Sequence, residues 1–134
     1  LIFNFYDSSL REERNFFIFL FGLVYIPLKF YFVMGEILIK NHKSYREVIA
    51  ICDAGLLGKK FLEGKRMLDL TSQFFDGEKF SAEEALEKIK FYVREDATFN
   101  IIGEDSVSLC LKLGIIVESG VMRVDSVPFA LVLA

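Results

Sequence analysis

Apolar and polar positions along the chain change their period several times, and each change predicts an element. Two β-rich runs, Glu36 to Lys40 and Glu47 to Cys52, flank the polar stretch Asn41-His42-Lys43-Ser44, which reads as a hairpin with His42 in its turn. A segment punctuated by Gly55, Gly58 and Gly64 follows. Arg66 to Leu70 and Gln73 to Phe75 then read as short strands, closed by the Asp76-Gly77 turn signal. Ser81 opens the clearest helix: Ala82, Ala85, Leu86, Ile89 and Val93 recur at helical spacing, and Ser81 with Glu84 forms the S-x-x-E capping pattern. Glu83, Glu84 and Glu87 come early and Lys88, Lys90 and Arg94 late, the order a helix dipole favours. Thr98 to Ile102 predicts a strand and Glu104 to Leu113 a second helix, stopped by Gly114. Ile115 to Val117, Val121 to Val124 and Phe129 to Leu133 predict a strand-rich end, with Pro128 at an edge or bend. The expected fold class is α+β: a mixed or mostly antiparallel sheet with two helices packed on one face, preceded by a hydrophobic N-terminal segment.

Composition singles out that N-terminal segment. Of 134 residues, 53% are hydrophobic and 15% aromatic, against the roughly 45–50% apolar content usual for a soluble domain. A chain this apolar is not disordered. Eight of the 15 Phe and three of the 5 Tyr fall in residues 1 to 33. Residues 16 to 33 are apolar except for Gly22, Pro27 and Lys29, a run at the short end of what spans a bilayer. Pro27 and Lys29 weaken that reading, although Lys29 can snorkel. A secretory signal is excluded by the mixed charges Asp7, Arg11, Glu12, Glu13 and Arg14 ahead of the run, and by the lack of a small-x-small site after it. Composition returns to normal at Met34-Gly35-Glu36, which looks like a natural start. Residues 1 to 33 are therefore expected to be upstream sequence without a role, with a membrane anchor or a packed extra helix as alternatives, and residues 34 to 134 a single small domain.

Charge and cysteine content exclude more than they suggest. The net charge is −3, so no global basic field marks the chain as a nucleic-acid binder. Cys52 and Cys110 have no neighbouring Cys or His at a ligand spacing, and His42 is the one histidine. A structural zinc site lacks donors, and no metal or other cofactor is expected. Both cysteines read as buried thiols in a reducing, cytoplasmic compartment. A serine triad needs an oriented histidine, which a turn residue such as His42 does not supply. The run Gly55 to Lys60 is no phosphate loop, because two residues separate Gly55 from Gly58 where that loop needs four. The pairs Glu83/Glu84 and Glu104/Asp105 fall at helix starts, where acidic residues already have a capping role. No catalytic set emerges, and the reading leans away from an enzyme.

One local asymmetry remains. Gly55 to Arg66 carries Lys59, Lys60, Lys65 and Arg66 against Glu63 alone, a charge of +3 within a domain of −3. Four basic residues neutralise a few phosphates, enough for modest, salt-sensitive binding. Phe61, Phe74 and Phe75 offer stacking surface, and the glycines allow close backbone approach. The competing interpretation is a solvated hairpin with Phe61 in the core.

Residues 34 to 134 also resemble the archaeal domain of unknown function family 424. The matching stretches are Val48-Ile-Ala-Ile-Cys-Asp53, Leu56-Leu-Gly-Lys59 with Phe61 and Glu63-Gly64, Phe74-Phe75-x-Gly77, Asn100-Ile-Ile-Gly103-Glu104 and Val127-Pro128. The family pattern often has His after the closing Pro, whereas this chain has Phe129, which argues against an essential His there. The resemblance implies an archaeal intracellular protein without an established activity and is compatible with a role near translation. The leading expectation is a cytoplasmic binding module that contacts RNA or a ribonucleoprotein through Lys59, Lys60, Lys65 and Arg66. The alternative is an enzyme or small-molecule binder with a pocket around Asp53, Lys59, Asn100 and Glu104. A membrane partner enters only through residues 16 to 33.

Overall fold

Six strands form the central sheet of the domain in the computed structural model, which describes residues 34 to 134 together with two short N-terminal strands. Those two, β1 (Phe17–Phe19) and β2 (Val24–Ile26), pair antiparallel in a first unit, Leu1–Met34. Otherwise the expectations for residues 1 to 33 lie outside the described residues. Among the described residues no helix is long and apolar enough to cross a membrane.

In the second unit, Gly35–Ala134, the elements are β3 (Ile37–His42), β4 (Val48–Asp53), β5 (Lys60–Glu63), β6 (Arg66–Asp69), β7 (Glu78–Phe80), α1 (Ala82–Arg94), β8 (Thr98–Ile102), α2 (Glu104–Leu113), β9 (Met122–Val124) and β10 (Val127–Val132). The sheet order is β7-β3-β4-β8-β10-β9. Only β4 and β8 run parallel, because the connection between them returns through α1; all other neighbours are antiparallel. β5 and β6 form a separate two-stranded hairpin. The class is α+β with a mixed sheet and two helices, as the patterning predicts.

Alternation along the strands sorts the core into two layers. Ile37 and Ile39, Ile49 and Ile51, and Phe99 and Ile101 share one face, on which α1 contacts β3 and β7 while α2 contacts β4, β8 and β10. Leu38, Ala50, Cys52 and Ile102 share the other. There they form a cluster with Leu68, Leu70, Phe75 and Val124, covered by the β5–β6 hairpin and the 3₁₀ turn Gln73–Phe75.

The helices end where local chemistry dictates. Ser81 Oγ accepts from the Glu84 N–H at 3.2 Å and Glu84 Oε1 from the Ser81 N–H at 3.0 Å, so the capping box is complete. Gly114 closes α2 in the left-handed region at φ 79°.

Several elements differ from expectation. His42 is the last residue of β3, opposite Val48, and the turn falls on the five residues 43 to 47 between them. Gln73–Phe75 is a 3₁₀ turn, because Ser72 caps it and tertiary bonds from β3 hold its carbonyls. Residues 115 to 117 form a bend with Ile116 buried, and no strand. Pro128 lies in an interior strand, directly after the Asp125-Ser126 hairpin turn, where both residues have positive φ.

Candidate nucleic-acid interface

The four basic residues expected to act together serve two different ends. Lys59, Lys60 and Lys65 are exposed on the β5–β6 hairpin, and the side chains of Lys59 and Lys65 make no hydrogen bond or ion pair among the described residues. Lys60 stands across from Asp69, whose carboxyl is held below its ordinary range by hydrogen bonds from Thr71 and, to a smaller extent, by Lys60. Arg66 does structural work instead: its Nη2 donates to the Arg123 carbonyl at 2.7 Å. On the paired strand Glu63 Oε1 accepts from the Asp125 N–H at 2.7 Å. The pair fastens the hairpin to the β9–β10 turn and covers the edge of β9, which would otherwise offer unpaired backbone.

Hairpin alternation explains the rest of the surface. Phe61 and Leu68 turn inward to the core cluster, as the solvated-hairpin interpretation holds for Phe61. Lys60, Leu62, Met67 and Asp69 occupy the opposite side, where Leu62 and Met67 are 63% and 52% exposed. Beside this hairpin runs a groove of about 300 Å³, lined by Met67 and Asp69 of the hairpin, Phe74 of the 3₁₀ turn, and Asn100, Phe129 and Leu131 of the sheet. Phe74 is held in place: its ring stacks on His42 at 4.3 Å and 11°, and its carbonyl lies 2.8 Å from His42 Nε2. Lys40 Nζ donates to the neighbouring Gln73 carbonyl at 2.8 Å.

The residues of the alternative pocket do not converge. Asn100 faces the groove, whereas Asp53 lies on the helix side of the sheet. Asp53 takes over the cap of α2: its Oδ2 accepts from the Asp105 N–H at 3.1 Å, and its Oδ1 from the Ser106 N–H at 2.8 Å and Ser106 Oγ at 2.7 Å. The residue at the N-cap position, Gly103, has no side chain to do this. Burial raises the Asp53 carboxyl above its ordinary value, a trend the three hydrogen bonds only partly offset. Gly103 cannot carry a side chain, since a Cβ there falls 2.4 Å from Asp53 Cγ and its φ is +115°. Glu104 is exposed and pairs with Arg123 at 2.9 Å.

Other motif residues have equally structural roles. A Cβ at Gly77 would lie 2.3 Å from the Ile39 carbonyl oxygen, so β7 reaches β3 only through glycine. Cys52 and Cys110 are free, buried thiols, as expected; burial pushes Cys52 up to about 12 and Cys110 upward as well, leaving both unreactive. Sequence reasoning missed Met67, Asp69 and Leu131 of the groove. The available signal was Asn100, a polar residue in the otherwise apolar run Phe99 to Ile102.

Comparison with known proteins agrees with this geometry. The chain is similar in structure to an uncharacterized conserved protein from Methanopyrus kandleri, with a TM-score of 0.67 and 24% identity over 75% of this chain and 95% of that one. That likeness shows the fold. No curated protein matches the chain. The family model described as "Protein of unknown function (DUF424)" matches residues 41–134. That span takes in β4 to β10, both helices and the glycines at 77, 103 and 114, and the chain belongs to the DUF424 family.

Proposed function

We propose that this domain is a binding module that contacts RNA, as free RNA or within a ribonucleoprotein, through the outer side of the β5–β6 hairpin. The observation that carries this reading is the placement of Lys59, Lys60 and Lys65. Three exposed ammonium groups, two of them without any internal partner, lie on one hairpin beside exposed apolar side chains. Ammonium groups that are not engaged in the fold release counterions when they meet phosphates, and this supplies affinity without sequence preference. Leu62 and Met67 add contact area, and the adjoining groove gives the surface a concave part. Arg66 acts here as a positioning residue, because its guanidinium already holds the hairpin on Arg123.

The test is binding of structured and single-stranded RNA across a salt series, for the wild type and for Lys59→Ala/Lys60→Ala. The wild type is expected to bind at low salt and to weaken steeply as salt rises. The double variant is expected to lose affinity and to flatten the log–log salt slope by about 1.4, at roughly 0.7 per single-strand phosphate contact. Absence of binding by the wild type at low salt, or an unchanged slope in the variant, contradicts the proposal.

A further inference from the structure

The groove on the hairpin side contains a polar group that the fold does not use. Asn100 stands in β8 between Ala50 of β4 and Leu131 of β10, and its amide has no hydrogen-bond partner among the described residues. Around it the groove is lined by Met67, Phe74, Ile102, Phe129 and Leu131. A leucine would fill this position without leaving two N–H donors and a carbonyl acceptor to be satisfied from outside. The walls differ in stiffness. Phe74 is stacked on His42 and meets the edge of Phe75 at 5.1 Å and 74°, whereas Met67 is an unbranched, half-exposed thioether that adapts its shape.

We infer that this groove receives one unpaired base of a single-stranded RNA, with the Asn100 amide bonded to the base edge. The inference rests on the reading that the hairpin contacts RNA, and it specifies which kind. About 300 Å³ is the low end of ligand-site volumes, suited to a base with its sugar and too small for a duplex. An amide presents a donor and an acceptor side by side, the pattern that matches the Watson–Crick or Hoogsteen edge of a splayed-out base. Leu131 and Met67, 51% and 52% exposed, add apolar lining for the faces of the ring. Lys60 lies across the hairpin from Asp69, a lining residue of the groove, which puts a cation on the strand pair beside it for the flanking phosphates. The Asp69 Oδ1 is itself occupied by the Thr71 N–H and hydroxyl.

Two measurements on the full chain test the site. The first compares labelled oligouridylate, oligoadenylate and an RNA duplex of equal length, binding to the wild type and to Asn100→Leu at low salt. The wild type is expected to prefer one of the single strands, and Asn100→Leu to lose about tenfold on that strand alone, the size of one edge-reading contact. The second uses the unaltered protein, so it does not depend on the variant's folding. Oligouridylate carrying 4-thiouridine is photo-crosslinked, and the attached peptides are identified; attachment at Met67, Phe74, Asn100 or Phe129 supports the site. Equal binding by Asn100→Leu, with crosslinks confined to residues 59 to 66, overturns the base site and leaves the hairpin reading standing. Equal affinity for duplex and single strands also overturns it. Failure of the wild type to bind any of the three overturns both.

Discussion

The two sides of the central sheet solve the same burial problem differently. On the helix side, Ile37, Ile39, Ile49, Ile51, Phe99 and Ile101 meet two capped helices, and the polar groups at the start of α2 are bonded within the fold. Asp53 spends its carboxylate on Asp105 and Ser106, and the fully buried Ser106 hydroxyl is satisfied by the same contact. On the hairpin side, a two-stranded hairpin and one 3₁₀ turn cover the cluster of Leu38, Ala50, Cys52 and Ile102. That cover is partial. It leaves a groove, an unused amide at Asn100 and three exposed lysines. Family-matching residues fall on both sides: Asp53 and Gly103 fix the start of α2, whereas Lys59, Phe74 and Asn100 lie on the hairpin side.

The helix side is most easily disrupted at Gly103. Gly103→Ala places a Cβ against the Asp53 carboxyl and forces a side chain into positive φ. The expected cost is about 3 kcal/mol or more. For a domain of this size that lowers the Tm by about 15 °C in a thermal melt. A variant as stable as the wild type would show that the helix side is less tightly determined than its geometry implies.

Next in size is Asp53→Ala, which removes the α2 cap and leaves the Ser106 hydroxyl unpaired. A loss of about 1–3 kcal/mol is expected in urea unfolding. Asp53→Asn sharpens the point through pH. Burial raises the folded-state pKa of Asp53 above its unfolded value, so the folded state binds the extra proton. The stability contributed by that proton is fully present below the unfolded pKa, about 4, and is lost as pH rises through the folded value. The stability difference between wild type and Asp53→Asn is therefore expected to move against the wild type as pH is raised from about 4. A difference independent of pH would contradict the raised value.

The smallest effect belongs to the hairpin side. Arg66→Ala cuts the bond to the Arg123 carbonyl at an exposed position, a change of about 1 kcal/mol or less. Its signature is local: faster amide hydrogen exchange across β5 and β6, with α1 and α2 unchanged. Uniformly faster exchange would show that the hairpin is an integral part of the cooperative core.

What the sequence conveyed follows the same division. The Ser81–Glu84 cap, the α1 face and the β3–β4 and β8 runs depend on residues a few positions apart, and local patterning reveals such contacts. Phe74 and Phe75 suggested a strand because aromatic residues suit pleated surfaces, yet their conformation is set by Lys40 and His42, more than thirty positions away. β5 and β7 escaped notice because short, charged strands at exposed positions lack an alternating apolar signal. Asp53 looked like pocket chemistry because its cap joins residues 52 and 53 positions apart, a distance at which no capping pattern is visible. The basic segment was legible as charge, but the diversion of Arg66 to the β9–β10 turn was not.

If RNA binds where we propose, it contacts the hairpin side of the sheet and leaves the helix side untouched. Titrating the isotope-labelled protein with single-stranded RNA at low salt, and following backbone amide shifts by NMR, tests this most directly. Perturbations are expected to cluster at Lys59, Lys60, Leu62, Lys65 and Met67 and to continue to Phe74 and Asn100. Perturbations concentrated on residues 82 to 94 and 104 to 113, or no perturbation at all, would contradict the proposal.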